Sequence, residues 1–137
     1  MPMYMFDACT CIDFLRGDLD SGYQIMQESG PQLFKIPAIV AGELFVGVEK
    51  AQNPRRERFA VERFLLPFEI VPFDFSCARE YSLIRAGLER RGMKIGHNDL
   101  LIAATARAHG ATLVTSNVRE FKRVPDLRLE TWAEIDW

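Results

Sequence analysis

The chain has 137 residues, of which 48% are hydrophobic and 26% are charged, and its formal net charge is −2. This length supports one domain, residues 1–137, with a hydrophobic core of its own. The slightly negative charge excludes a small, uniformly basic nucleic-acid binder, but it leaves room for a nuclease with a local basic rim.

The N-terminal segment and the cysteines indicate the cellular compartment. The residues before Asp7 lack the basic start of a signal peptide, and an acid interrupts them. No apolar run approaches the length of a membrane span. Cys9, Cys11 and Cys77 are odd in number and lack the spacing of a zinc site. We therefore expect reduced thiols in a cytoplasmic protein with no membrane partner.

The first half of the chain alternates short apolar runs with helical spacing. Gly17 and the Gly30-Pro31 pair end the first two helices. Pro37 suits the first turn of the next helix, because its missing N–H costs nothing there. In chain order, the predicted elements are a strand at 3–6, helices at 10–15 and 21–29, a strand at 33–36, and helices at 37–51 and 54–67.

The second half continues the same alternation. Asp74 or Ser76 caps a long helix, Gly92 lies just past its end, and Asn98 is the expected N-cap of the following helix. The predicted elements are a strand at 69–71, helices ending near 91 and at 109–110, a strand at 111–115, a helical turn at 117–122 and a strand at 127–130. Short strands alternating with helices predict an α/β fold, a three-layer α/β/α sandwich around a mostly parallel central sheet.

Three carboxylates lie in apolar surroundings in distant parts of the chain. Asp7 follows the first strand, Glu43 shares a helix face with Ile39, Val40, Val46 and Gly47, and Asp99 begins an apolar helix. Each has an ordinary explanation on its own. Asp7 can cap a helix, Glu43 can pair with an arginine, and Asp99 can interact with a helix dipole.

Taken together, the acids favour a shared cation. The carboxyl ends of parallel strands open onto one crevice, so Asp7 is expected to meet Asn117 and Glu120, which follow the fourth strand. Acids brought close together repel one another unless a cation neutralises them. Oxygen ligands without a His or Cys cluster suit Mg²⁺ or Mn²⁺. The chemistry indicated is metal-assisted phosphodiester hydrolysis.

Several segments, in order, resemble PIN-domain ribonucleases, and their combination resembles the VapC-type toxins of toxin–antitoxin pairs. The resemblance covers essentially the whole chain, and it continues through Val124-Pro-Asp-Leu and Glu130-Thr-Trp132. The main segments are Tyr4-Met-Phe-Asp7, Ile39-Val-Ala-Gly-Glu43-Leu-Phe-Val-Gly47, Ile95-Gly-His-Asn-Asp99-Leu-Leu-Ile-Ala-Ala and Leu113-Val-Thr115-Ser-Asn117-Val-Arg-Glu120-Phe121.

The resemblance implies a PIN-like fold and an endoribonuclease toxin dependent on Mg²⁺ or Mn²⁺. It further implies structured RNA substrates with tRNA among them, a homodimer, and a VapB-type antitoxin whose C-terminal segment places a basic side chain near the acids. By position, the implied metal ligands are Asp7, Glu43, Asp99 and Glu120, with Thr115 as the motif hydroxyl.

Two positions depart from the family pattern. Asn117 stands where many relatives have an acid, so either Glu120 supplies the missing charge or one metal ion suffices. Ala8-Cys9 replaces the common Thr-Asn, which changes the hydrogen bonds that orient Asp7.

Basic and aromatic residues give further expectations. RNA needs local positive charge, and the expected contacts are Lys94, Arg119, Lys122 and Arg123. A solvated helix face is expected for Arg55, Arg56, Arg58 and Arg63, and a surface or capping role for His97. The phenylalanines are expected mostly in the core, with an apolar groove as the alternative for Phe59, Phe64 and Phe68.

Two alternatives to a toxin stay open. One is an RNA-processing PIN nuclease without an antitoxin. The other is a catalytically silent module that binds RNA or a protein.

Overall fold

The computed structural model describes residues 2–17 and 20–132, so residues 1, 18–19 and 133–137 of the predicted domain lie outside the described residues. This part of the chain contains five strands, β1 (Tyr4–Phe6), β2 (Phe34–Pro37), β3 (Glu69–Val71), β4 (Thr112–Val114) and β5 (Arg128–Glu130). They form one parallel sheet in the order β3-β2-β1-β4-β5.

Helices connect successive strands and cover the sheet. A short 3₁₀ turn, Pro31–Leu33, precedes β2. The α-helices are α1 (Ala8–Leu15), α2 (Asp20–Ser29), α3 (Ala38–Glu49), α4 (Pro54–Leu65), α5 (Phe75–Arg90), α6 (His97–Ala108) and α7 (Val118–Phe121). The predicted α/β sandwich with a parallel central sheet is confirmed.

The chain reverses direction across the sheet between β1 and β4. It runs from β1 outward to β2 and β3, then returns to place β4 on the other side of β1. Such a switch point leaves a crevice at the carboxyl ends of the two neighbouring strands. Phe6 pairs with Val114 at this end, and the Asp7 N–H donates to the Val114 carbonyl at 3.3 Å. The residues that follow β1 and β4 are therefore held side by side.

An aromatic cluster anchors β1 directly below this crevice. The Phe6 ring is fully buried, and its centroid lies 5.3 to 5.8 Å from those of its neighbours. Those neighbours are Phe14, Phe34, Phe68 and Trp132. Truncating such a residue to alanine costs about 3–5 kcal/mol. The strand end that carries Asp7 is thus fixed by the densest aromatic packing in the described core.

Several predicted helix starts differ from the structure. The N-cap of α6 is Gly96, not Asn98, which lies within the first turn. The first helix begins at Ala8 rather than residue 10, because Asp7 caps it. Pro37 is the last residue of β2 and the N-cap of α3. Asp74, rather than Ser76, caps α5.

The remaining expectations concern membranes and thiols. No helix in the described residues combines the length and apolar character needed to cross a membrane. All three cysteines are free thiols: Cys9 is exposed, whereas Cys11 and Cys77 are buried.

Candidate active site

Asp7 is buried at the end of β1, where both of its carboxylate oxygens accept hydrogen bonds. Oδ1 accepts from the Thr10 N–H at 2.9 Å, which caps α1, and Oδ2 accepts from the Thr115 hydroxyl. Burial nevertheless raises the pKa of Asp7, against the lowering effect of these two donors. The Thr10 hydroxyl donates to the Val114 carbonyl at 3.0 Å, so the same turn also ties α1 to β4.

Thr115, directly after β4, links Asp7 to the next two polar residues. Its hydroxyl oxygen accepts from the Asn117 N–H at 2.9 Å. The Asn117 side-chain amide in turn donates to Glu120 Oε2 at 2.8 Å. Four of the predicted site residues, from Asp7 to Glu120, therefore form one chain of hydrogen bonds.

Glu120 reaches across to the start of α6. Its Oε1 accepts from the Gly96 N–H, the residue that precedes the helix carrying Asp99. A Cβ at Gly96 would lie 3.4 Å from Asp99 Oδ2 and 3.5 Å from Glu120 Oε1, so both carboxylates rest against this glycine. The Gly96 hydrogen bond holds the pKa of Glu120 below its ordinary value.

The pKa of Asp99 is shifted in the opposite direction, upward. Burial, followed by repulsion from Glu120, raises its pKa from 3.8 to about 7, and Asp7 and Glu43 contribute further repulsion. The pair therefore gives up one proton near neutral pH, and Asp99 rather than Glu120 carries it because Glu120 has the better hydrogen-bond donors. The other three predicted acids therefore all lie close enough to raise the pKa of Asp99.

Glu43 completes the acid cluster from α3. Burial raises its pKa, repulsion from Asp7 adds to the rise, and the neighbouring Asn98 side chain opposes it. Its Oε1 atom is buried without a hydrogen-bond partner. The sequence placed Glu43 on a buried stripe, but Val46 on the same face is 52% exposed. Glu43 instead lies where the helix opens toward a groove.

Cys9 stands at the edge of the same cluster. Burial raises the pKa of its thiol, and Asp7, Asp99, Asp13 and Glu43 each raise it further by repulsion. Despite the departure at Ala8-Cys9, Asp7 is oriented by the Thr10 N–H and the Thr115 hydroxyl. Gly96 and Asn98 were not predicted as site residues, because glycine carries no side-chain signal and Asn98 fitted a cap.

The acid cluster fits a hard divalent cation. Its donors are all carboxylate oxygens, one of them is buried without a partner, and their mutual repulsion keeps a proton at the site. In residues 2–17 and 20–132, no group of three His, Cys, Asp or Glu side chains already stands arranged around one metal position. Metal binding therefore requires Asp99 to lose its proton and the side chains to turn toward a common point.

A groove of about 340 Å³ runs from Glu43 between α1, α3 and α4. Its apolar wall includes Ile12, Leu15, Leu44 and Val61. Glu57 adds a second carboxylate and Arg16 adds a cation.

None of the three phenylalanines proposed for a groove lines this one. Phe64 and Phe68 join the aromatic core, with ring centroids 5.4 Å apart, whereas Phe59 is 63% exposed on α4.

The predicted basic rim lies beside the start of α6. Lys94, Arg119 and Lys122 are exposed. Arg123 has a structural task as well, because its guanidinium donates to the Lys94 carbonyl at 2.6 Å and so ties α7 to the loop before α6. His97 is exposed at the first position of that helix.

Comparison with known proteins places this geometry in a family. The PIN domain family matches residues 4–127. This chain belongs to the PIN-domain family. Its relatives include Ribonuclease VapC2 of Rickettsia felis, 39% identical over 131 residues that span 95% of this chain and 98% of the relative. Another is the tRNA(fMet)-specific endonuclease VapC of Salmonella typhimurium, 33% identical over 97% of this chain and 100% of the relative.

Solved structures of VapC-containing complexes share the fold of this PIN domain. VapBC2 from Rickettsia felis, bound to a DNA fragment from its promoter, aligns with a TM-score of 0.90 and 38% identity over 95% of this chain and 98% of that one. DNA-bound VapBC from Salmonella typhimurium aligns with a TM-score of 0.91 and 33% identity over 96% of this chain and 99% of that one. The PIN domain described here is thus of the VapC type.

Proposed function

We propose that this chain is a divalent-metal-dependent endoribonuclease toxin that cleaves RNA phosphodiesters, with tRNA in its substrate class, and that a VapB-type antitoxin inhibits it. The observation that carries the proposal is the convergence of Asp7, Glu43, Asp99 and Glu120 beside the β1–β4 switch point. The names of the VapC relatives, as ribonucleases and as a tRNA(fMet)-specific endonuclease, support the substrate class.

The residues that would hold Mg²⁺ or Mn²⁺ are Asp7, Glu43 and Asp99, with Glu120 beside them. When bound at such a site, a divalent ion lowers the pKa of a water molecule and stabilises the charge that builds on the phosphate. Asp99 must give up its proton for the site to reach full negative charge.

The other side chains orient these acids. Thr115 and the Thr10 N–H fix the two oxygens of Asp7, while the Gly96 N–H and the Asn117 amide fix those of Glu120. These hydrogen bonds limit the rearrangement that Asp7 and Glu120 need when a cation binds, and the phosphate would be held through that cation. The exposed Lys94, Arg119 and Lys122 supply positive charge for neighbouring phosphates.

RNA cleavage by matched carboxylate variants tests the proposal. We expect the parent chain to cut RNA with Mg²⁺ or Mn²⁺ and to lose this activity in EDTA. Glu43→Gln should abolish cleavage. Glu49→Gln, on the same helix but exposed and paired with Arg58 at 2.8 Å, should leave it unchanged. Equal cleavage by both variants would refute the metal site, and a parent chain that cuts no RNA would favour the silent binding module.

The groove at Glu43 suits the antitoxin. The groove combines an apolar wall with two carboxylates and Arg16, and its net negative charge fits an extended segment with apolar side chains and one basic side chain. We expect Leu15→Glu to retain cleavage but to prevent co-purification with a VapB-type antitoxin. Leu66→Glu is the control, because Leu66 is 84% exposed and lies outside the groove. If Leu15→Glu does not affect co-purification, the groove is not the antitoxin site. The alternative of an RNA-processing enzyme without an antitoxin would then stay open.

The proposal includes a cytoplasmic homodimer in which residues 1–137 act as one domain. Exposed apolar side chains such as Phe75 and Leu83 on α5, 78% and 61% exposed, support self-association. Light scattering of the purified chain should give twice the monomer mass of 15.7 kDa. A monomer across the micromolar range would contradict this part of the proposal.

A further inference from the structure

A phenylalanine occupies the outward side of α4. Phe59 is 63% exposed, whereas Val61 and Leu65 of the same helix are 2% and 9% exposed. Two residues along a helix correspond to a rotation of about 200°, so Phe59 points away from the core contact made by Val61. Core packing does not account for a large apolar ring in this position.

Arginines surround this ring. Arg55, Arg56 and Arg63 lie four or three residues from Phe59 and so share its side of the helix. The Arg63 guanidinium lies 5.7 Å from the centroid of the Phe59 ring. We call Arg55, Arg56, Phe59 and Arg63 the Phe59 face.

Most of the charge on this face is available to a ligand. Among the ion pairs of residues 2–17 and 20–132, Arg58 is joined to Glu49 at 2.8 Å, while the three arginines of the Phe59 face appear in none. A hollow of about 510 Å³ opens here, lined by Asn53, Arg55, Arg56, Arg58, Phe59 and Glu62. Arg58 is neutralised by Glu49, so Arg55 and Arg56 against Glu62 leave this hollow a net positive charge in a chain whose total charge is negative.

The opposite side of α4 borders the acid cluster. Glu57, Ala60 and Val61 form part of the groove that contains Glu43. The Phe59 face is therefore separated from that groove by the thickness of one helix, about 10 Å. An RNA strand that passes from the acid cluster around α4 would therefore reach the Phe59 face.

We propose that the Phe59 face is a second binding site for single-stranded RNA, where one base stacks on Phe59 and the flanking arginines bind phosphates. This inference rests on the proposed ribonuclease function, since it assigns the anchoring of that enzyme's substrate. Exposed aromatic rings bracketed by arginines are the usual surface for unpaired bases, because rings stack and guanidinium groups bind phosphate. An acidic peptide would match the charge but would leave the flat ring without a stacking partner.

Binding is measured in a chain that carries Asp99→Asn, so that the RNA stays intact. A fluorescent single-stranded RNA of mixed sequence is titrated by anisotropy at several salt concentrations. Phe59→Ala should weaken binding by roughly tenfold or more, as expected for loss of one stacked base. Replacing Arg55 and Arg56 together by Gln should reduce the log–log salt slope by roughly 1.4, because each neutralised phosphate of a single strand contributes ~0.7 to that slope.

Leu66→Ala is the control, because Leu66 is 84% exposed directly after α4 but lies outside the hollow. Unchanged affinity in Phe59→Ala, or an equal loss in Leu66→Ala, would overturn the proposal. Loss of acidic-peptide binding in Phe59→Ala with RNA binding intact would overturn it in favour of a protein partner. Cleavage by the chain with Asp99 present is scored separately, so failure of the nuclease proposal is distinguishable from failure of this one.

Discussion

Asp99→Asn is expected to abolish cleavage and at the same time to stabilise the metal-free protein. Burial of the Asp99 carboxyl, followed by repulsion from Glu120, Asp7 and Glu43, raises its pKa from 3.8 to about 7. At about 1.4 kcal/mol per pKa unit, this rise corresponds to ~4 kcal/mol of destabilisation by the charged form. Because Asp99 is also partly exposed, solvent screens the interaction, and we expect an effect of ~1–2 kcal/mol.

The sign of the pH dependence follows from the direction of the shift. The folded chain retains the Asp99 proton above pH 4, where the unfolded chain has already lost it. The folded state therefore binds more protons between about pH 4 and pH 7, and its stability falls as the pH rises through that range. The Asp99→Asn variant does not lose stability in this way as the pH rises. The difference in unfolding free energy between variant and parent should therefore be absent below pH 4 and constant above pH 7.

Thermal unfolding in EDTA from pH 4 to 8 measures this difference. At pH 8 we expect the melting temperature of Asp99→Asn to exceed that of the parent by roughly 3–8 °C, and Mg²⁺ should raise the parent's value more than the variant's. Glu49→Gln serves as the control and should give no gain. A variant that is less stable than the parent at pH 8, or a gap that is independent of pH, would refute the electrostatic account of this site.

Three further substitutions test the surrounding contacts. Asn117→Asp replaces the donor to Glu120 by a repelling acid, so cleavage should fall about 10- to 100-fold and the Gly96 amide proton resonance should move upfield; a gain in metal affinity would instead identify position 117 as a ligand. Thr115→Val removes the hydroxyl bonded to Asp7 and should cost ~1–3 kcal/mol in urea unfolding, whereas Thr115→Ser should retain the bond. Asn53→Ala removes the α4 cap, in which Asn53 accepts from the Arg56 N–H at 3.2 Å, and should cost ~1 kcal/mol in urea unfolding.

Acid placement was the part of the site that the sequence predicted best. Asp7, Glu43 and Asp99 are conspicuous because carboxylates are rare in apolar runs, and parallel strands have to bring their carboxyl ends together. Asn98 was misplaced because asparagine is a preferred N-cap. In the structure Gly96 takes that place, which leaves Asn98 beside Glu43. The role of Gly96 depends on a backbone N–H that no sequence pattern marks.

The outward position of Phe59 was equally hidden. The sequence of α4 is rich in charged residues, and we expected its arginines to form a solvated face. That expectation did not decide whether Phe59 lies in the core or in a groove. Only the packing of Phe64 and Phe68 into the aromatic cluster, with Val61 and Leu65 buried, assigns the remaining side of α4 to Phe59. Helical spacing gives relative angles, whereas the absolute rotation is set by contacts with distant segments.

The acids of this site divide into two kinds according to what holds them. Asp7 accepts bonds from Thr10 and Thr115, and these bonds also fasten α1 and β4 to β1. Substitution of Asp7 would therefore remove structural support together with a proposed metal ligand. Asp99 is disfavoured as a charged group first by burial and then by repulsion, whereas its neighbour Glu120 takes the available donors from Gly96 and Asn117. The fold thus tolerates at Asp99 a carboxylate that it would be more stable without, and a bound cation is the partner that would offset this cost.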